Sequence, residues 1–232
     1  MKAGIVVFPG SNCDKDCFHA LDQVLGIRTQ YIWHDDYTIP QDIDLLVLPG
    51  GFSYGDYLRA GAIATYTHIM DQVKNYASKG KLLLGICNGF QVLTESHLLP
   101  GVLIRNENLR FICQDVYLKT INNQTAFTGR LQKNQVLKIP IAHGEGNYFI
   151  DEPALKELKQ QQQIVFQYTD ASGNANGETN PNGSVENIAG IINRTGNILG
   201  MMPHPERAIE QLLGSEDGRE IFLSAVEFLK QT

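Results

Sequence analysis

Lys81-Leu82-Leu83-Leu84-Gly85-Ile86-Cys87-Asn88-Gly89-Phe90-Gln91 is the stretch whose reading decides the fold. Residues 81–86 form a short apolar run of the buried-strand kind, and Phe90-Gln91-Val92-Leu93 continues as the first turns of a helix. A strand that turns sharply into a helix holds its corner residue in a strained conformation. Small residues two before and two after the corner relieve the crowding, as in the Gly-x-Ser-x-Gly elbow of hydrolases. Here the corner residue is Cys87. A thiol at a helix N-terminus lies at the positive end of the macrodipole, which suits an attacking thiolate. The backbone N–H of Asn88 is also offered to an oxyanion formed at the sulfur. By itself the pattern fits a buried structural cysteine in a tight turn equally well, so the rest of the chain must decide.

Upstream, residues 3–8 predict a strand apolar on both faces, as in a parallel sheet. Pro9-Gly10-Ser11-Asn12 is a turn, and a helix follows with Cys17, Ala20, Leu21, Val24 and Leu25 on one face. That spacing makes Cys17 a core residue. Cys13, in the first loop, has no second ligand set and reads as structural. Residues 30–33 and 44–48 predict two more strands, the second ending in Pro49-Gly50-Gly51-Phe52-Ser53-Tyr54-Gly55-Asp56. Ligands bind at the carboxyl edge of a parallel sheet, and glycines there let backbone N–H groups approach closely. Gly51 is the candidate for the second half of an oxyanion hole, although Gly-Gly is more often a plain turn. An amphipathic helix is predicted over residues 60–77, with Tyr66 on its apolar stripe, before Gly80 leads into the Cys87 strand. Such regular alternation implies right-handed βαβ units.

Downstream, residues 111–118 and 136–141 alternate more and predict antiparallel strands added at one edge. Pro140-Ile141-Ala142-His143-Gly144-Glu145-Gly146 is rich in polar groups, and His143 with Glu145 is a possible second catalytic pair. Residues 159–163 read as a polar surface segment and residues 171–183 as an exposed Asn/Gly loop. Residues 188–193 and 198–202 form a hairpin that delivers Pro203-His204-Pro205-Glu206-Arg207. Proline biases His204 to extended backbone, where residues two apart face the same way. His204 and Glu206 are thereby expected side by side, a base and the carboxylate that orients it. The last helix is expected from Ser215, with Ile221, Phe222, Ala225, Val226 and Leu229 on its buried face.

The 232 residues are read as one domain spanning 1–232. A formal charge of −6 without a basic stripe excludes nucleic acid as the expected partner. No run approaches the roughly 18 apolar residues of a membrane span. Met1 leads straight into strand one, which predicts no signal peptide. The 4 cysteines form neither a disulfide framework nor a zinc pattern, so no metal and a cytoplasmic setting are expected.

Nucleophile elbow, Gly-Gly strand end and His-x-Glu occur in the order Gly51, Cys87, His204, Glu206. In α/β-hydrolases the acid precedes the histidine, so that fold does not fit. With FPGSNCD from Phe8, LPGGFSYGDYLRAGAIA from Leu48, GICNGFQVL from Gly85, RNENLRF from Arg105, PIAHGEGNY from Pro140 and GMMPHPERA from Gly200, the chain resembles the class I, or triad, glutamine amidotransferases over nearly its whole length. Within them it resembles the branch serving purine biosynthesis. The resemblance implies a flavodoxin-like, mostly parallel sheet with helices on both faces and added antiparallel strands. It implies Cys87, His204 and Glu206 as catalytic triad, Gly51 and Asn88 as oxyanion hole, and Gln91 and His143 near the substrate glutamine. Ammonia would pass to a large synthetase subunit accompanied by a small accessory subunit. The chain shows no phosphate loop, so ATP and Mg²⁺ are expected on that partner and no cofactor here. A peptidase or deglycase on a related sheet would lack the His-x-Glu hairpin, and a non-enzymatic subunit would lack a triad member; a glutaminase of another pathway is the remaining alternative, from which Gly-Ile-Cys-Asn-Gly and the His-Gly-Glu-Gly stretch separate this chain.

Overall fold

The computed structural model describes residues 1–231. The main sheet has 9 strands in the order β2-β1-β3-β4-β11-β10-β9-β6-β7. The parallel half comprises β1 (Lys2–Val7), β2 (Arg28–Trp33), β3 (Leu45–Leu48), β4 (Leu82–Ile86) and β11 (Ile198–Met201). The antiparallel half comprises β10 (Ile188–Ile192), β9 (Ile164–Thr169), β6 (Ile112–Thr120) and β7 (Val136–His143). Two short strands, β5 (Val102–Ile104) and β8 (Asn147–Phe149), pair separately. The parallel half runs in the flavodoxin-like order. Strands β3, β4 and β11 are buried along their whole length, which requires cover on both faces of the sheet.

Helices α1 (Asp14–Phe18, continued by a wider turn over His19–Val24), α2 (His68–Ser78) and α3 (Asn88–Glu95) supply the crossovers. The burial of Cys17 in the core agrees with its helical spacing. The helix expected over residues 60–77 is broken. A 3₁₀ turn, Ile63–Tyr66, stops at Thr67, whose ψ of 152° is extended, and α2 starts afterwards. The Thr65 and Thr67 hydroxyls donate to the carbonyls of Ala62 and Ala64, both at 2.7 Å, and such local bonds compete with helix. Tyr66 is consequently not on a buried stripe; it is 86% exposed.

Helix α4 (Glu152–Gln160) and strands β5, β8 and β9 were not foreseen. In α4 only Leu158 is buried, so its apolar stripe is too thin to read, and the helix is set by the Asp151 carboxylate, which accepts from the Ala154 N–H at 2.9 Å. Gln163, expected on the surface, is buried, and its amide donates to the Ile192 carbonyl at 2.8 Å. The last helix, α5 (Arg219–Gln231), starts four residues beyond Ser215. The preceding segment is diverted by tertiary contacts: Asp217 accepts from the Lys138 N–H at 2.7 Å and Gly218 lies against Pro205.

The β4–α3 corner is close-packed. A Cβ on Gly89 would stand 2.0 Å from the Leu48 carbonyl oxygen, and one on Gly85 would stand 2.8 Å from Gly89 itself. Helix α3 therefore sits on the sheet at a distance only glycine permits. Gly89→Ala should lower unfolding stability by about 3 kcal/mol, the upper end for overpacking, because backbone rather than a flexible side chain is in the way. Gly177→Ala, with open space around it, is the control; equal urea midpoints for the two variants would contradict this packing argument.

Candidate active site

Strand β4 lies between β3 and β11, so the residue after it emerges at the carboxyl edge of the parallel half. That residue is Cys87, with φ 50° and ψ −104°, a conformation few side chains adopt. Its N–H donates to the Met201 carbonyl at 2.8 Å, its carbonyl accepts from Gln91 N–H at 3.1 Å, and its Sγ lies 3.7 Å from the Ala142 carbonyl oxygen. The cysteine is 4% exposed. The first N–H groups of α3 have no partner within the helix and surround this corner.

Strand β11 runs alongside β4 and carries the chain to His204. His204 Nδ1 and Glu206 Oε1 are 2.7 Å apart, both side chains essentially fully buried. The pair forms as expected but not on extended chain. Residues Pro205–Arg207 form a 3₁₀ turn, so the turn rather than strand alternation brings Glu206 back onto the ring. Proline starts this turn because its fixed φ suits the first helical position. The His204 N–H donates to the Pro140 carbonyl at 2.8 Å. Among the described residues, His204 Nε2 and Glu206 Oε2 are buried without a hydrogen-bond partner. Burial opposes charging of the His204 ring, but the Glu206 carboxylate, followed by Cys87, outweighs it and holds the pKa well above the usual imidazole value.

The Gly50-Gly51 corner performs two tasks. A Cβ on Gly50 would lie 2.7 Å from His204 Cε1, so the imidazole rests directly on this backbone. Gly51 has φ 134°, and a Cβ there would stand 2.6 Å from the Gly10 carbonyl oxygen. The loop after β1 and the loop after β3 interlock: Phe52 N–H donates to Gly10 and Tyr54 N–H to Pro9, at 2.8 and 2.6 Å. The Asn88 side chain ties this loop to α3, accepting from the Ser53 N–H at 3.2 Å and donating to Gln91 Oε1 at 2.9 Å and to Asp56 at 3.4 Å. Burial, and then the Glu145 charge, push the Asp56 carboxyl up to about 6.

Gln91 is buried, its amide donating to the Glu145 carbonyl at 2.6 Å, so both ends of this side chain are engaged within the protein. His143 and Glu145 do not form a pair. The Glu145 carboxylate lies 3.7 Å from Arg105 Nε, whereas His143 Nδ1 faces Asn106 Oδ1 at 3.1 Å and Nε2 makes a long 3.5 Å contact with the Asn182 amide. Asn106 also donates to the His143 carbonyl at 2.9 Å, and Asn182 to the Gly146 carbonyl at 2.8 Å. Burial, reinforced by the charge of His204, lowers the His143 pKa to about 4. Asn106 and Asn182 were not singled out in the sequence. Asn106 sits inside the RNENLRF motif, which flags it; Asn182 lies in the Asn/Gly loop, whose composition hides one buried asparagine among exposed ones.

Cys13 is also brought to this site. Its sulfur, a His204 ring nitrogen and a Glu206 oxygen lie within 4.8 Å of one another. His204 and Glu206 bond each other, so the group is a hydrogen-bonded pair with a sulfur neighbour.

Residues 1–228 match the family described as "CobB/CobQ-like glutamine amidotransferase domain". The phosphoribosylformylglycinamidine synthase subunit PurQ of Moorella thermoacetica is 56% identical over 228 residues, covering 98% of this chain and 96% of that protein. The same-named subunit of Chlorobium luteolum is 56% identical over 221 residues, 95% of each chain. Among solved structures, a chain of PurLQS from Thermotoga maritima superposes with a TM-score of 0.86 at 44% identity, covering 98% of both chains. The glutaminase domain of Trypanosoma brucei CTPS, with bound acivicin, shares the fold at a TM-score of 0.60 and 11% identity, covering 98% of this chain and 94% of that one.

The surroundings of His143 make a pH prediction. Its pKa is depressed on folding, so the unfolded chain binds the proton more readily, and this group's contribution to stability falls as pH drops from about 6.5 toward about 4. Ring-proton chemical shifts should show no His143 titration above about pH 5. A midpoint near the ordinary imidazole value would mean that the ring is not enclosed as described.

Proposed function

The chain belongs to the CobB/CobQ-like glutamine amidotransferase domain family, and from that premise we propose that Cys87, His204 and Glu206 hydrolyse glutamine. The observation that carries this reading is the fully buried 2.7 Å His204–Glu206 pair next to a thiol on a left-handed corner. The protein supplies ammonia from glutamine to the synthetase that forms phosphoribosylformylglycinamidine in purine biosynthesis. Its partners are the large synthetase subunit and a small accessory subunit, the other members of the PurLQS assembly.

In this mechanism Cys87 Sγ attacks the side-chain amide carbon of glutamine. The thiol proton passes to His204 Nε2, giving the thiolate and imidazolium that the raised His204 pKa favours, while Glu206 holds Nδ1 and with it the tautomer. The N–H groups of Gly51 and Asn88 receive the oxyanion, each worth about 3 kcal/mol of barrier. His204 returns the proton to the departing ammonia. Water then cleaves the thioester to glutamate and restores the thiol. Gln91 and His143 shape the glutamine pocket through the Glu145 and Ala142 backbone beside the sulfur. ATP and Mg²⁺ belong to the synthetase partner, and all of residues 1–232 serve as one glutaminase domain. No helix among the described residues is long and apolar enough to cross a membrane, and we place the protein in the cytoplasm.

Two predictions follow from these roles. A glutamine-like diazo-ketone should alkylate Cys87 and spare Cys17, which is enclosed in the core and whose pKa is raised by burial. Peptide mass spectrometry locates the adduct, and labelling at Cys113 with Cys87 intact would remove the nucleophile assignment. His204→Ala should cut glutaminase turnover by about 10²–10⁴-fold, Glu206→Ala less, and His143→Ala should act mainly on KM.

A further prediction concerns coupling. The isolated chain should hydrolyse glutamine weakly and gain at least about tenfold, roughly 1.4 kcal/mol of barrier, when assembled with its partners, ATP and phosphoribosylformylglycinamide. Cys87→Ser should abolish glutamine use while leaving ammonia-dependent synthesis. Full-rate hydrolysis by the chain alone would identify a stand-alone glutaminase instead.

A further inference from the structure

Arg207 directly follows Glu206, and its guanidinium turns back onto α1. Nε donates to Asp16 Oδ2 at 2.9 Å and Nη2 to Cys13 Sγ at 3.1 Å. Cys13 is the N-cap residue of α1, and its own N–H donates to the Gly50 carbonyl at 3.3 Å. A Cβ on Gly50 would meet both the Cys13 sulfur, at 3.2 Å, and the His204 ring, at 2.7 Å. One buried sulfur thus contacts the guanidinium, backs the glycine on which the imidazole rests, and lies within 4.8 Å of the His204–Glu206 pair. A second tie, His19 Nε2 to Glu210 Oε1 at 2.9 Å, fastens the same segment further along α1.

The pair needs such support. A three-residue 3₁₀ turn carries it, with poorer hydrogen-bond geometry than an α-helix, so its register is set by what packs against it. Among the described residues Glu206 Oε2 has no donor, and the bond to His204 holds that carboxylate through Oε1. A displacement of about 1 Å in a catalytic group can cost about 10²-fold in rate.

We propose that Cys13 and Arg207 are positioning residues for the glutaminase reaction: Arg207, anchored on Asp16, and the Cys13 sulfur bracket the turn that bears His204 and Glu206. The proposal rests on the assignment of that pair to glutamine hydrolysis.

The test is glutamine-dependent turnover of the assembled complex for Cys13→Ala, Cys13→Ser, Arg207→Gln and Cys87→Ser. Cys13→Ala and Arg207→Gln should each lower kcat about tenfold with KM within about twofold. Cys13→Ser keeps an acceptor for the guanidinium and should recover most of the loss. The Cys13→Ala/Arg207→Gln double variant should be no worse than the poorer single one, because both break the same bracket. If Arg207→Gln does not assemble, the Cys13→Ala and Cys13→Ser comparison decides alone. Wild-type kcat in Cys13→Ala, equal losses in the alanine and serine variants, or a loss confined to KM overturns the bracket. An active Cys87→Ser would instead overturn the triad assignment on which it rests.

Discussion

Everything at this site depends on holding one cysteine in a left-handed corner. A non-glycine residue in such a conformation costs on the order of 1–3 kcal/mol and persists only when its surroundings overdetermine it. Around Cys87 they do. Strand β4 is paired on both sides, the Cys87 N–H is bonded to Met201, and Gly85 and Gly89 let strand and helix close to backbone contact. The thiol consequently stands at the sheet edge, over the start of α3, without a flexible segment of its own.

The two halves of the sheet contribute differently. The parallel half presents Cys87 after β4, the Gly50-Gly51 corner after β3 and His204 after β11. The antiparallel half supplies the opposite wall through β7. Pro140 and Ala142 on that strand accept from the His204 N–H and the Cys87 thiol respectively, so one strand holds both residues in place. The Asn106 and Asn182 amides brace the His143 end of β7, which transmits their geometry to the sulfur.

Two buried histidines are driven in opposite directions by their neighbours. His204 has a carboxylate on Nδ1 and is held in reach of a proton; His143 has only amides, and burial keeps it neutral. The charge of the first further discourages protonation of the second. Environments that push titratable groups apart in this way separate roles. Under the proposed mechanism they suit His204 to proton transfer and His143 to support, although His-Gly-Glu and His-Pro-Glu look alike in sequence.

What the sequence alone determined is local. Gly-Ile-Cys-Asn-Gly forces a strand–helix corner because the crowding there tolerates nothing larger at its flanks. The apolar runs at 3–8, 44–48 and 81–86 read as buried parallel strands because both faces are covered. His204 and Glu206 could be paired because they are two residues apart, although a 3₁₀ turn rather than extended chain joins them. Some departures were local too: threonine bonds broke the helix expected from residue 60, and a thin apolar stripe hid α4. The tertiary structure decided the rest, beginning with the contacts with Lys138 and Pro205 that delayed the start of α5. Cys13 reads as a structural cysteine in a loop, yet its contact with Arg207 spans 194 positions of chain. Asn182 hides in a loop of look-alikes until it folds onto His143. Periodicity reports how a residue meets its own element; which distant residue it touches depends on how the elements pack, and no local pattern encodes that.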